Sequence, residues 1–147
     1  MSLSLTQKHF KQRKNMKQII MLLLTVASTM QADNKSDSDY IRKLIGEWQQ
    51  TIKIGRMSVM TDYSYKKDGT LDSFATITMN QKQIKMRILG TWEVKDGYLI
   101  SVVKSKSEYV PIPIGYTTKD KILSITNHIF MYKTEDGDTE TQEKVEN

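Results

Sequence analysis

The chain contains no cysteine. That absence excludes disulfides, thiolate metal sites, a cysteine nucleophile and a lipid-modified cysteine behind a leader. Histidine is nearly absent too: His9 lies near the N-terminus, and only His128 remains in the rest of the chain. A transition-metal site would have to rest on carboxylates, and no ligand-spaced cluster is visible. Asp136 and Asp138 flank Gly137, but the twelve-residue calcium-loop pattern is missing. There is no nucleophile-elbow motif and no glycine-rich phosphate loop. Acid/base catalysis needs two acids meeting in a cleft, whereas Asp62, Asp72 and Glu93 fall mostly on the polar side of the strand pattern. No enzymatic activity, cofactor or metal is expected. Proline occurs only as Pro111 and Pro113, which exclude a central strand at that point.

An excess of one charge sign is also missing once the charges are located. The formal net charge is +5, but residues 1–32 hold Lys8, Lys11, Arg13, Lys14 and Lys17 and no acid. From Asp33 onward, 17 basic residues face 17 acidic ones. A phosphate-tracking protein needs a cationic surplus to displace counterions, so nucleic acid is not an expected partner.

What is present begins with a leader. A basic stretch over 8–17 precedes the apolar run IIMLLLTVA at 19–27, followed by small and polar residues. This is the pattern of a secretory signal peptide, expected over 1–32. The run is too short for a stable anchor, which needs about 20 apolar residues, so no membrane anchor is expected after cleavage. Thr25-Val26-Ala27 and Met30-Gln31-Ala32 are alternative cut sites, and Met16 is an alternative start. The expected location is periplasmic or secreted.

Residues 33–40 read as a polar linker. Ser36 or Asp37 is placed to cap a short helical stretch through Tyr40, Ile41, Leu44 and Ile45, with Gly46 ending it. Thereafter the period is two. Trp48, Ile52 and Ile54 alternate with polar residues, and Met57, Val59, Tyr63 and Tyr65 continue the pattern after Gly55. Lys67-Asp68-Gly69-Thr70 and Asp96-Gly97 are turn sequences. Leu71, Ser73, Ala75, Ile77 and Met79 share one face, with Phe74 on the other. Ile84, Met86 and Ile88 alternate before Gly90, and Tyr98, Ile100 and Val102 share a later face. Ile122, Ser124 and Thr126 alternate with Leu123 and Ile125, and residues 129–133 read as the last strand. The tail, 135–147, is acidic and polar and is expected to be disordered. The spacing predicts an all-β domain over 41–134: an antiparallel up-and-down meander of seven or eight short strands, as a closed barrel or an open sandwich.

Gly46-Glu47-Trp48 opens the first strand after a short helical turn, and Gly90-Thr91-Trp92 repeats the triplet mid-chain. With Tyr63 to Thr70 between them, this arrangement resembles the small exported lipocalin-like domains of bacteria. The resemblance covers about residues 41 to 134. It implies a barrel in which glycine permits close backbone packing and tryptophan plugs the closed end. The chain departs from classical lipocalins in being shorter and lacking disulfides and a clear C-terminal helix.

The resemblance implies a small hydrophobic or amphipathic ligand as the partner, held in the barrel interior. Trp48, Met57, Tyr63 and Tyr65 are candidate lining residues, as are Phe74, Met86, Trp92 and Tyr98. The alternative is that these side chains only fill the core. A different class of function is an interaction module for another envelope protein, as an inhibitor or assembly factor. The apolar, constrained Pro111-Ile112-Pro113-Ile114 segment is its candidate surface.

Overall fold

The structure, a computed structural model, describes residues 36–146. The expected signal peptide and the first residues of the linker lie outside the described residues. Within them the chain forms α1 (Asp37–Leu44), β1 (Gly46–Ile54), β2 (Met57–Tyr65), β3 (Thr70–Met79) and β4 (Lys82–Lys95). β5 (Tyr98–Lys106), β6 (Thr117–Ile125), β7 (Ile129–Lys133) and β8 (Thr139–Lys144) follow. Each strand pairs antiparallel with the next. β8 returns to β1, with Trp48 opposite Lys144 and Gln49 opposite Glu143. The domain is a closed eight-stranded barrel and not an open sandwich. Closure leaves neither terminal strand as a free edge.

Tight turns make this meander possible. Asp96 and Gly97 both take positive φ (54° and 77°), the left-handed pair that a two-residue hairpin requires. Strict up-and-down order puts α1 and the turns at 66–69, 96–97 and 126–128 at one end of the barrel. The connections at 55–56, 80–81, 107–116 and 134–138 lie at the other.

α1 covers the first end. Asp37 and Asp39 sit in its first turn and Arg42 and Lys43 in its last, so its charges complement the helix dipole. Ser36 occupies the N-cap, but its hydroxyl meets Ser38 Oγ instead of a backbone amide. The Asp37 carboxylate leaves the helix altogether and accepts from the amides of Asp96 (2.8 Å) and Gly97 (2.9 Å). The helix is thereby fastened to the β4–β5 turn. The helix begins where a cap at Ser36 puts it, so residues 37–40, also read as the end of the polar linker, are its first turn, with Tyr40 and Leu44 buried against the barrel.

Beneath the helix the barrel is filled. Leu44, Trp48, Ile125 and Phe130 are almost wholly buried. Trp48 meets Phe130 edge-on at 6.0 Å, and Tyr65 meets Trp92 edge-on at 5.5 Å. A bulge between Ile122 and Ser124 leaves Leu123 as the extra residue, so Ile122 and Ile125 both enter the core. The simple alternation expected for that strand therefore gives way to a re-phased one.

The tail also differs from expectation. Residues 139–144, read as disordered, are the strand that closes the barrel. Their sequence, TETQEK, has no apolar residue. It is held because Gln142, only 2% exposed, pairs with Tyr65 and Tyr132 inside.

Candidate functional site

Cross-strand partners share a face, so the pairing register tells which side chains point into the barrel. Trp48, Tyr63 and Ser73 are successive partners, as are Tyr65, Leu71 and Gly90. Trp48, Tyr65 and Leu71 belong to the core, which makes this the inner face. From the helix end outward, that face has three layers.

The innermost layer is the aromatic plug, in which both Gly-x-Trp triplets take part. Trp48 Nε1 donates to the Leu44 carbonyl (2.7 Å), one of the carbonyls that the end of α1 leaves unpaired. Lys144 Nζ lies 5.0 Å from the Trp48 ring and donates to the carbonyls of Lys43 and Ile45. Trp92 Nε1 donates to the Lys66 carbonyl (3.0 Å). Gly90 is needed for close approach: a Cβ there would collide with the Val102 carbonyl of the neighbouring strand.

The middle layer is polar and continuous. Tyr63 Oη donates to Gln50 Oε1 (3.2 Å), and Gln50 Nε2 donates to Glu140 Oε2 (3.0 Å). Tyr132 Oη donates to the same carboxylate oxygen (2.7 Å). Gln142 Nε2 donates to the hydroxyls of Tyr65 (3.3 Å) and Tyr132 (3.5 Å). Among the described residues no buried side-chain nitrogen or oxygen lacks a partner. Burial, with the charge of Glu140, pushes the Tyr63 phenol up to about 12. Burial also raises the phenols of Tyr65 and Tyr132. All three therefore remain protonated donors at neutral pH. Asp120, opposite the inward Leu99, joins this layer. Desolvation, then the charges of Glu140 and Glu135, push its carboxyl up to about 6. Neither Asp120 nor Glu140 forms an ion pair among the described residues.

The outer layer is apolar and open. Ile52, Ile54, Met79 and Ile84 continue the inner face, yet keep 38%, 61%, 52% and 48% of their surface exposed. Met57, Val59, Ile77 and Met86 stand beside them, partly exposed. A β5 bulge opposite Leu89 and Gly90 sets Lys106 opposite the inward Ile88. Its ammonium donates to the Val110 carbonyl (2.6 Å) and so fastens the start of the 107–116 loop to the end of β5. In that loop Val110 is buried and Ile112 half-buried, whereas Tyr109 and Ile114 are exposed.

Six of the eight candidate lining residues therefore share the inner face: Trp48, Tyr63, Tyr65 and Trp92 deep inside, Met57 and Met86 near the open end. Phe74 and Tyr98 do not. Phe74 lies opposite Asp62 and Arg87 on the outer wall, one residue out of phase with Leu71 and Ser73. Tyr98 lies opposite Lys95 and Lys121, also outside, with Lys119 Nζ 4.6 Å from its ring. Phe74 instead borders an outer groove of about 320 Å³ with Glu47, Asp62, Ser64, Asp72 and Arg87. The acids of this groove are already paired. Arg87 binds Asp72 through two nitrogens (2.9 and 2.6 Å) and holds its carboxyl below the usual range. Ser64 and Gln49 donate to Glu47 and Asp62.

Gln50, Glu140, Gln142, Tyr132 and Asp120 were not among the candidates. For Gln50 a signal existed, since it lies in phase with Trp48 and Ile52. His128 is a surface residue beside Glu146 (3.1 Å). Among the described residues no group of three metal-ligating side chains converges. None of their helices is long and apolar enough to cross a membrane. No known protein family matches the chain, and no curated protein matches it.

Proposed function

We propose that this chain is an exported lipocalin-like binding domain that holds a small hydrophobic or amphipathic ligand in the open half of its barrel. The observation that carries the reading is the layering of the inner face. A barrel that only needed a core would bury its inward isoleucines and methionines, whereas these stay open to water above a polar floor. An amphipathic molecule matches both layers, with its chain against Ile52, Val59, Ile77 and Met86 and its polar end at Gln50, Tyr63, Glu140 and Asp120. Two carboxylates at that depth favour a polar end that donates hydrogen bonds or carries positive charge. The two Gly-x-Trp plugs support the lipocalin-like reading. The basic stretch and apolar run at 8–27 support export to the periplasm or the medium.

The test is titration of the protein with a fluorescent long-chain amine and a fluorescent fatty acid of equal length. We expect saturable binding, tighter for the amine. Ala75 is a small, half-buried residue of the inner face between Thr61 and Met86. Ala75→Trp fills the space and is expected to weaken binding roughly tenfold or more, about 1.4 kcal/mol. Failure of both probes to bind the wild type, or equal binding to a correctly folded Ala75→Trp, would count against the proposal.

A further inference from the structure

The hairpin tips at the open end carry a feature that ligand binding does not require. β4 has its last β5 partner at Ile88, opposite Lys106, and two further bonds join Arg87 to Ser107: the Ser107 amide donates to the Arg87 carbonyl, and the Arg87 amide donates to Ser107 Oγ. Residues 82–86 continue past that point, a projection of about 17 Å along the strand. The β1–β2 tip lies two strands away in the same sheet, joined through β3. The distal parts of these strands, residues 52–59 and 75–87, contain no acidic residue. They contain Lys53, Arg56, Lys82, Lys85 and Arg87. Arg87 is committed to Asp72, while the other four are exposed and form no ion pair among the described residues.

The chain from Asp33 onward is formally neutral, so this is a segregated cationic zone rather than a share of a general surplus. It coincides with the most exposed apolar residues of the inner face: Ile54, Met79 and Ile84. Strand alternation puts these on one side of the tips and Lys53 and Lys85 on the other. A nucleic acid or an acidic protein surface would satisfy the charges but leave the isoleucines in water. A bilayer with anionic headgroups satisfies both, cations at the phosphates and apolar side chains at the acyl boundary.

We propose that the β1–β2 and β3–β4 tips dock the barrel, open end first, on an anionic lipid surface. The acidic turn between β7 and β8, with Glu135, Asp136 and Asp138, shares this end. An anionic surface therefore meets the barrel obliquely, on the β1–β4 side. The contact is peripheral and reversible, needing no membrane-spanning segment.

The cysteine-free chain allows a site-specific test. Ile54→Cys in the full chain carries an environment-sensitive fluorophore, and Lys67→Cys carries the same dye on the exposed β2–β3 turn at the opposite end. Each is mixed with vesicles of one part phosphatidylglycerol to three parts phosphatidylcholine, and with phosphatidylcholine alone. The expected result is a blue shift at position 54 on the anionic vesicles only, and none at position 67. It disappears in Lys53→Gln/Arg56→Gln/Lys82→Gln/Lys85→Gln. It also disappears without any substitution at about 1 M salt, where the screening length falls to about 3 Å. A silent probe at position 54 overturns the proposal. So do equal shifts at both positions, which mean that another segment such as the basic stretch at 8–17 holds the vesicle. A shift that grows with protein concentration in the absence of lipid overturns it too, since a second copy then covers the tips. None of these outcomes depends on an occupied barrel, so this test and the interior titration fail independently.

Discussion

Asp120 is the residue at which the barrel's interior costs stability most directly. Its carboxyl is pushed up to about 6 from 3.8, first by desolvation and then by Glu140 and Glu135. Between about pH 4 and pH 6 the folded state therefore binds more protons than the unfolded chain, and stability falls as pH rises through that window. Above it the full cost of a charged Asp120 is present. Asp120→Asn removes the charge and keeps the shape. It is expected to stabilise the protein at about pH 7.5 by about 1 kcal/mol after solvent screening, and to change little at about pH 4. Urea midpoints of both proteins at the two pH values check this, and parallel behaviour would contradict it. The same residue-level contrast shows what was legible in the chain. Trp48 and Trp92 were readable as plugs because each follows a glycine by two positions and can seal a barrel end. Tyr98 was not readable, since β5 has apolar residues on both faces: Tyr98, Ile100 and Val102 outside, Leu99 and Val103 inside. Alternation then supplies a period but no phase. Phe74 is the opposite case, since its phase relative to Leu71 already placed it outside despite its aromatic ring.

At the scale of elements, β8 is the instructive strand. An all-polar hexapeptide reads as tail, because burial is ordinarily signalled by apolar side chains. Here the interior it faces is itself polar: Glu140 accepts from Gln50 and Tyr132, and Gln142 binds Tyr65 and Tyr132. That network joins β1, β2, β7 and β8, and no single segment reveals it. β8 also completes the closure, since without it β1 and β7 each present a free edge. Truncation after Asp138 is therefore expected to unpair Tyr65, Tyr132 and Gln50 together, and to cost more than about 3 kcal/mol. Thermal unfolding followed by far- and near-ultraviolet circular dichroism measures it. Loss of the cooperative transition is the expected outcome, and an unchanged midpoint would show that β8 is an ornament. The two bulges belong to this scale as well. Each re-phases its strand, turning Ile125 in β6 and Lys106 in β5 inward where strict alternation would place Ser124 and Ser105.

For the whole molecule, the fold class was legible because turn signals, short alternating segments and the absence of a crossover helix all pointed to a meander. Closure was not legible, because it depends on a β1–β8 pairing between residues nearly a hundred positions apart. What the closed barrel produces is a gradient along its axis: aromatic plug under α1, polar band in the middle, open apolar lip above. The gradient is the basis for proposing an amphipathic ligand, and the cationic tips beyond the lip are the basis for proposing a lipid surface. A ligand held across such a gradient loses its apolar area only at a comparable apolar surface, so it should survive aqueous purification. The most direct measurement is native mass spectrometry of the protein purified from its own host without detergent. The account predicts a mass above that of the polypeptide, falling to the polypeptide mass on denaturation with release of a small apolar or amphipathic compound. A bare polypeptide mass, with no uptake when long-chain amines and fatty acids are added back, would contradict it.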